Sequence, residues 1–123
     1  MSAPFNMIET VEDLASAIAA SFDRPTVIFK HSASCGLSAQ AFHSIGEWLD
    51  QKPPDANWYL LPVRASRAVS TAVSTQFGIR HESPQALLLV DGKVAWHGSH
   101  FRATASSISA ALDRLAGATS AQG

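Results

Sequence analysis

Two short apolar runs constrain this chain more than anything else in it. Thr26-Val27-Ile28-Phe29 and Trp58-Tyr59-Leu60-Leu61 are β-branched, aromatic or large aliphatic throughout, and each is too short for a helix. Between them, from about Gly36 to Leu49, the apolar residues Leu37, Ala41, Ile45, Trp48 and Leu49 keep helical spacing, and the pattern stops ahead of Pro53-Pro54. Strand, helix and strand in that order make a crossover unit, whose two strands run parallel in one sheet. The first run is apolar on both faces, as a central strand must be when helices cover both sides.

The other segments fit around this unit. Thr10-Val11-Glu12-Asp13 combines a capping residue with an acidic first turn, and Val11, Leu14, Ala15, Ile18, Ala19 and Phe22 follow as the expected apolar face of a first helix. Ala68, Val69, Ala72, Val73 and Phe77 line a third helix, with Gly78 as its C-terminal stop. Ala86 to Val90 reads as a third strand, and Asp91-Gly92 is a strong hairpin signal that returns the chain through Val94-Ala95-Trp96. Ile108, Ala111, Leu112 and Leu115 form the stripe of a last helix, with Gly117 beyond it and a small polar tail from Ala118 to Gly123 expected to fray.

The expected order is α-β-α-β-α-β-β-α. Length and composition fit one α/β domain over residues 1–123, with its core about 8–117: 123 residues suffice for a single core, and 46% hydrophobic with 15% charged residues describes a folded chain. A net charge of −1 without a basic cluster gives no footprint for nucleic acid or an anionic membrane. Glu9, Glu12 and Asp13 stand where a signal peptide needs a basic start and an apolar core, and no later run is long enough to span a bilayer. The expectation is a cytoplasmic protein, and the lone cysteine suits a reducing compartment.

That cysteine, Cys35, lies in Phe29-Lys30-His31-Ser32-Ala33-Ser34-Cys35-Gly36-Leu37-Ser38, where a strand runs through a polar loop into a helix start. A thiol at a helix N-terminus meets the positive end of the helix dipole and unpaired N–H groups, both of which favour the thiolate. A single cysteine is also a common small core residue, and Ser38 an ordinary first-turn residue with a local hydrogen bond. Cys35-Gly36-Leu37-Ser38 has the form of a Cys-x-x-Cys redox motif with a hydroxyl at the second thiol position, so no disulfide can close within it. Any redox cycle must use an outside thiol.

The element order, the reactive loop after the first strand and Pro84 just before the third match the thioredoxin fold, with a central mixed four-stranded sheet. Over nearly its whole length the chain resembles the YtxJ-type monothiol bacilliredoxins. The residues that carry the likeness are Phe29-Lys30-His31-Ser32 leading to Cys35 and Ser38, Leu61-Pro62-Val63-Arg64, His81-Glu82-Ser83-Pro84-Gln85, and Asp91-Gly92-Lys93-Val94 continuing to Trp96-His97 and Ser99-His100. One residue departs from the family pattern. The position after the cysteine is usually proline and here is Gly36, which also makes the tetrapeptide similar to the Cys-Gly-Phe-Ser motif of cluster-holding monothiol glutaredoxins.

The resemblance implies an enzyme that removes bacillithiol, or a similar low-molecular-weight thiol, from S-thiolated client proteins through Cys35. Lys30, His31, Gly36 and Ser38 are the candidates for supporting its thiolate. Strand alternation sends Lys30 and His31 to opposite faces, so only one is expected to help. Ser83-Pro84 is the expected cis peptide, where an extended client segment would pair as an added strand. Trp96, His97 and His100 are expected to border the substrate groove. His81, His97 and His100 offer a His-x-x-His spacing, yet no second cysteine or close carboxylate completes four ligands, so no metal site is expected. No resident cofactor is expected on this reading. The alternatives are a carrier in which two chains and two external thiols hold a [2Fe–2S] cluster, and an inert thioredoxin-fold binding module. Oligomeric state is left open by the sequence.

Overall fold

The computed structural model describes residues 5–32, 36–51 and 55–122. Its elements are β1 (Asn6–Met7), α1 (Val11–Ala20), β2 (Thr26–His31), α2 (Gly36–Gln51), β3 (Asn57–Pro62), α3 (Arg67–Phe77), β4 (Gln85–Val90), β5 (Lys93–Ser99) and α4 (Ala105–Gln122), with a 3-10 turn over His100–Arg102 between the last two. The sheet order is β1-β3-β2-β4-β5. β1 and β2 pair with β3 in parallel, whereas β4 is antiparallel to β2 and to β5. Because β2 sits at the centre, it needs apolar side chains on both faces, and Val27, Ile28 and Phe29 are all buried.

The two faces form two cores. Val27, Phe29, Trp58 and Leu88 meet Ala41, Ile45 and Leu49 of α2 and Ile108 and Ala111 of α4. On the other side Ile28, Leu61, Leu87 and Leu89 meet Leu14 and Ala17 of α1 and Val69 and Val73 of α3. Successive β2 residues alternate between these cores, as the pleat requires. The consequence for function is that the C-terminal end of β2 feeds both layers at once.

Three details differ from the sequence expectation. The sheet has five strands rather than four, because Asn6–Met7 adds a parallel edge to β3. Both residues of that strand are exposed, so no apolar pattern marks it. On α1 the buried residues are Leu14 and Ala17, while Val11 and Phe22 are 58% and 64% exposed. Phe22 lies beyond the helix, and its ring covers the hairpin turn: a Cβ at Gly92 would come within 2.8 Å of it. α4 runs through Gly117 to Gln122 rather than stopping before the glycine.

Several local signals hold as read. Thr10 and Asp13 form a reciprocal capping box at the start of α1. Gly78 closes α3 in the left-handed conformation, and Asp91 and Gly92 both take positive φ, 52° and 78°, as a tight two-residue hairpin demands. The turn is fastened to α1's end by Asp91 N–H donating to the Ser21 carbonyl and Gly92 N–H to Ser21 Oγ, both at 2.9 Å. Among the described residues, no helix is long and apolar enough to cross a membrane.

Candidate functional site

β2 ends in two basic residues, and the pleat sends them to opposite faces. His31 turns toward α2, stacking on Phe42 with ring centroids 4.8 Å apart. Its Nδ1 lies 2.9 Å from Ser38 Oγ in the first turn of α2. The same oxygen accepts a hydrogen bond from Ser32 N–H at 2.9 Å. Ser38 Oγ therefore meets Ser32 N–H and His31 Nδ1 at one point. Burial pushes the His31 pKa below its usual value, and a hydrogen bond with Ser38 works against that shift. Ser38 is fully buried. Its hydroxyl therefore ties the end of β2 to the start of α2, on either side of residues 33–35. Cys35, the expected nucleophile, lies outside the described residues. In the chain it directly precedes Gly36, the first residue of α2, which is exposed and whose missing Cβ would meet no described atom within 4 Å.

Lys30 turns the other way, into the layer beneath α3. It is 0% exposed, although strand ends usually leave a lysine in solvent. Its Nζ donates to the Ser70 carbonyl at 3.5 Å and to Ser74 Oγ at 3.4 Å, and lies 3.3 Å from His81 Nδ1. Ser70 Oγ is 3.2 Å from the same His81 nitrogen. Beside an ammonium donor, Nδ1 serves as acceptor, which keeps the imidazole neutral. The pKa of His81 is accordingly lowered, first by desolvation and then by the Lys30 charge, with Glu82 pulling the other way. Burial lowers the Lys30 pKa from 10.5 to about 8. No carboxylate pairs with this ammonium among the described residues.

Sequence reasoning missed this arrangement, although a signal was available. Ser66, Ser70 and Ser74 repeat every four residues along α3, a hydroxyl stripe on a helix otherwise apolar on that side, and Lys30 shares the strand face of Ile28 that meets it. Above the Lys30 group opens a cleft of about 600 Å³ whose walls include Ser32, Arg64, Arg67, Ser70, His81 and Ser83. The Ser83-Pro84 bond is cis, as expected. Ser83 Oγ is buried without a hydrogen-bond partner among the described residues.

The remaining expected groove residues are dispersed. Trp96 packs against the α2/α4 core and lines a small recess with Leu88, Ala111 and Leu115. His97, its neighbour on β5, is exposed. His100 lies 3.6 Å from Glu82 and borders a separate recess with Leu37, Gln40 and Phe101. Among the described residues no three His, Cys, Asp or Glu side chains converge to hold a metal ion. A cleft of similar volume, 610 Å³, lies at the opposite end of β2, but it is walled by Asp23, Asp55 and Asp91, and Arg24 there already pairs with Asp55 at 3.3 Å.

Comparison with known proteins agrees with this architecture. A protein described as a candidate oxidoreductase with a thioredoxin fold superposes with a TM-score of 0.79 at 26% identity, covering 89% of this chain and 94% of that one. Thioredoxin from Malassezia sympodialis, a pan-allergen family member, gives 0.71 at 17% identity over 91% of this chain and 90% of its own. Fasciola hepatica thioredoxin gives 0.71 at 17% over 89% and 98%. These last two likenesses establish the fold. Residues 6–108, from the first strand into α4, match the family described as monothiol bacilliredoxin BrxC. With that match across most of its length, a thioredoxin fold and one cysteine in its whole sequence, the chain belongs to the monothiol bacilliredoxins, a thiol redox family.

Proposed function

We propose that this chain is a monothiol thiol–disulfide oxidoreductase that takes a low-molecular-weight thiol, bacillithiol by family, from mixed disulfides on client proteins. The observation that carries the reading is the position of the only cysteine, Cys35, immediately ahead of the first residue of α2 in a chain of this family. The free end of a helix favours an anion, and the thiolate is the attacking species in exchange.

The cycle has two balanced steps. Cys35 as thiolate attacks the bacillithiol sulfur of the mixed disulfide, forming a new S–S bond while the client sulfur leaves as thiolate. A second low-molecular-weight thiol then attacks the adduct, its proton passing to solvent, and the small disulfide departs with Cys35 restored. With Ser38 in the second position of the motif, no internal thiol competes for the adduct, and its hydroxyl is engaged with Ser32 and His31. Of the four residues expected to support the thiolate, His31, Gly36 and Ser38 flank the loop from the α2 side. Lys30 faces the other layer, under α3.

The test is transfer from a bacillithiolated peptide. Reduced wild-type protein is expected to release the free peptide and gain the bacillithiol mass on Cys35, and Cys35→Ser to do neither. Peptide release by Cys35→Ser at the wild-type rate would overturn the reading.

A further inference from the structure

The cleft above Lys30 concentrates positive charge without a counter-charge. Arg64 and Arg67 stand exposed on its wall, and neither forms an ion pair with a described residue. Among the described residues, Lys30, beneath its floor, has neutral hydrogen-bond partners: Ser70, Ser74 and His81. Among the described residues no carboxylate lines the cleft, and Glu82, which follows His81 in the chain, lies 3.6 Å from His100. In a chain of net charge −1, three cations gathered around one concavity are a local concentration of positive charge. The contrast with the cleft at the other end of β2, walled by aspartates, makes this chemistry specific to one end of the sheet.

The cleft is also placed and sized for a small molecule. Its volume of about 600 Å³ falls within the usual range for such sites. Ser32, at one side, stands three residues before Cys35 in the chain, and Ser83 at another contributes a buried hydroxyl that has no partner among the described residues. Guanidinium groups bind carboxylate and phosphate oxygens through paired donors, and desolvated cations nearby strengthen the field.

We propose that this cleft holds the anionic end of the low-molecular-weight thiol, a carboxylate or phosphate gripped by Arg64 and Arg67 with Ser83 as a further donor. The proposal rests on the oxidoreductase reading for the sulfur chemistry but not for the anion site itself. It assigns substrate selection to residues outside the cysteine loop: the charged disulfide is chosen over a neutral one by its distal end.

Two measurements test it. Rates of Cys35 adduct formation are read by intact mass with bacillithiol disulfide and glutathione disulfide as carboxylate carriers, coenzyme A disulfide as phosphate carrier, and neutral hydroxyethyl disulfide. In Arg64→Gln/Arg67→Gln the ratio of the best anionic rate to the neutral rate is expected to fall about tenfold or more, the size of a lost charge-assisted contact. The arm that falls furthest identifies the anion. An unchanged ratio overturns the proposal. If the wild-type protein reacts with no disulfide, the oxidoreductase reading fails by itself, and the cleft is judged by NMR titration of Cys35→Ser with S-methyl glutathione and with inorganic phosphate. Saturable shifts at Ser70, Thr71 and His81 that vanish in the double arginine variant support the site. No saturable shift with either probe rejects it.

Discussion

At the scale of single residues, Gly36 and Lys30 show opposite relations between sequence and structure. Gly36 was legible as the departure from the family pattern, and it occupies an open, exposed first position of α2. A side chain there meets no described atom, so Gly36→Ala is expected to stabilise the fold by about 0.4–1 kcal/mol, chiefly by restricting the unfolded chain. Urea denaturation checks this; a loss of stability would show that the helix start depends on glycine. Lys30 was legible only as a basic residue at a strand end. Its burial depends on Ser70, Ser74 and His81, which come from 40 to 51 residues away and are brought over it by α3 and the loop beyond. Sequence periodicity gave its face, but tertiary packing supplied its surroundings.

At the scale of elements, the crossover of β2, α2 and β3 could be read from apolar spacing because each piece obeys its own period. β1 cannot, since two exposed residues carry no period, and on α1 Val11 and Phe22 fit helical spacing while lying outside the buried stripe. The joint between β2 and α2 has the sequence of a reactive loop, yet the bond that fastens it, through Ser38 Oγ, is a contact between the two elements. Ser38→Ala removes the buried hydroxyl that Ser32 N–H and His31 Nδ1 share. The expected cost is about 1–3 kcal/mol in global stability, with faster amide exchange at Ser32. Unchanged exchange at Ser32 would mean that the serine does not fasten the joint.

At the scale of the whole molecule, the titrating groups of the two layers shape stability in one direction. His31 and His81 have folded pKa values below the ordinary 6.5, so the unfolded chain binds protons first and stability falls as pH drops through that value. Lys30 titrates at about 8 when folded and 10.5 when unfolded, so between those values the unfolded chain again holds more protons and stability rises with pH. The gain by pH 10 is on the order of 2 kcal/mol. Urea midpoints across pH 5.5 to 10 are expected to climb on both limbs, and Lys30→Met to lose the alkaline one. A variant with the same alkaline slope as wild type would place that titration elsewhere.

The same whole-molecule view links fold to chemistry: β2 sends His31 toward α2, Lys30 beneath the cationic cleft, and the chain onward to Cys35. The most direct measurement is intact mass of the reduced protein after exposure to bacillithiol disulfide at neutral pH, with Cys35→Ser beside it. A single bacillithiol adduct, mapped to Cys35, absent from the variant and removed by a second thiol, is the expected result. A wild-type protein that stays unmodified under these conditions would contradict the assignment of Cys35 as the exchanging thiol.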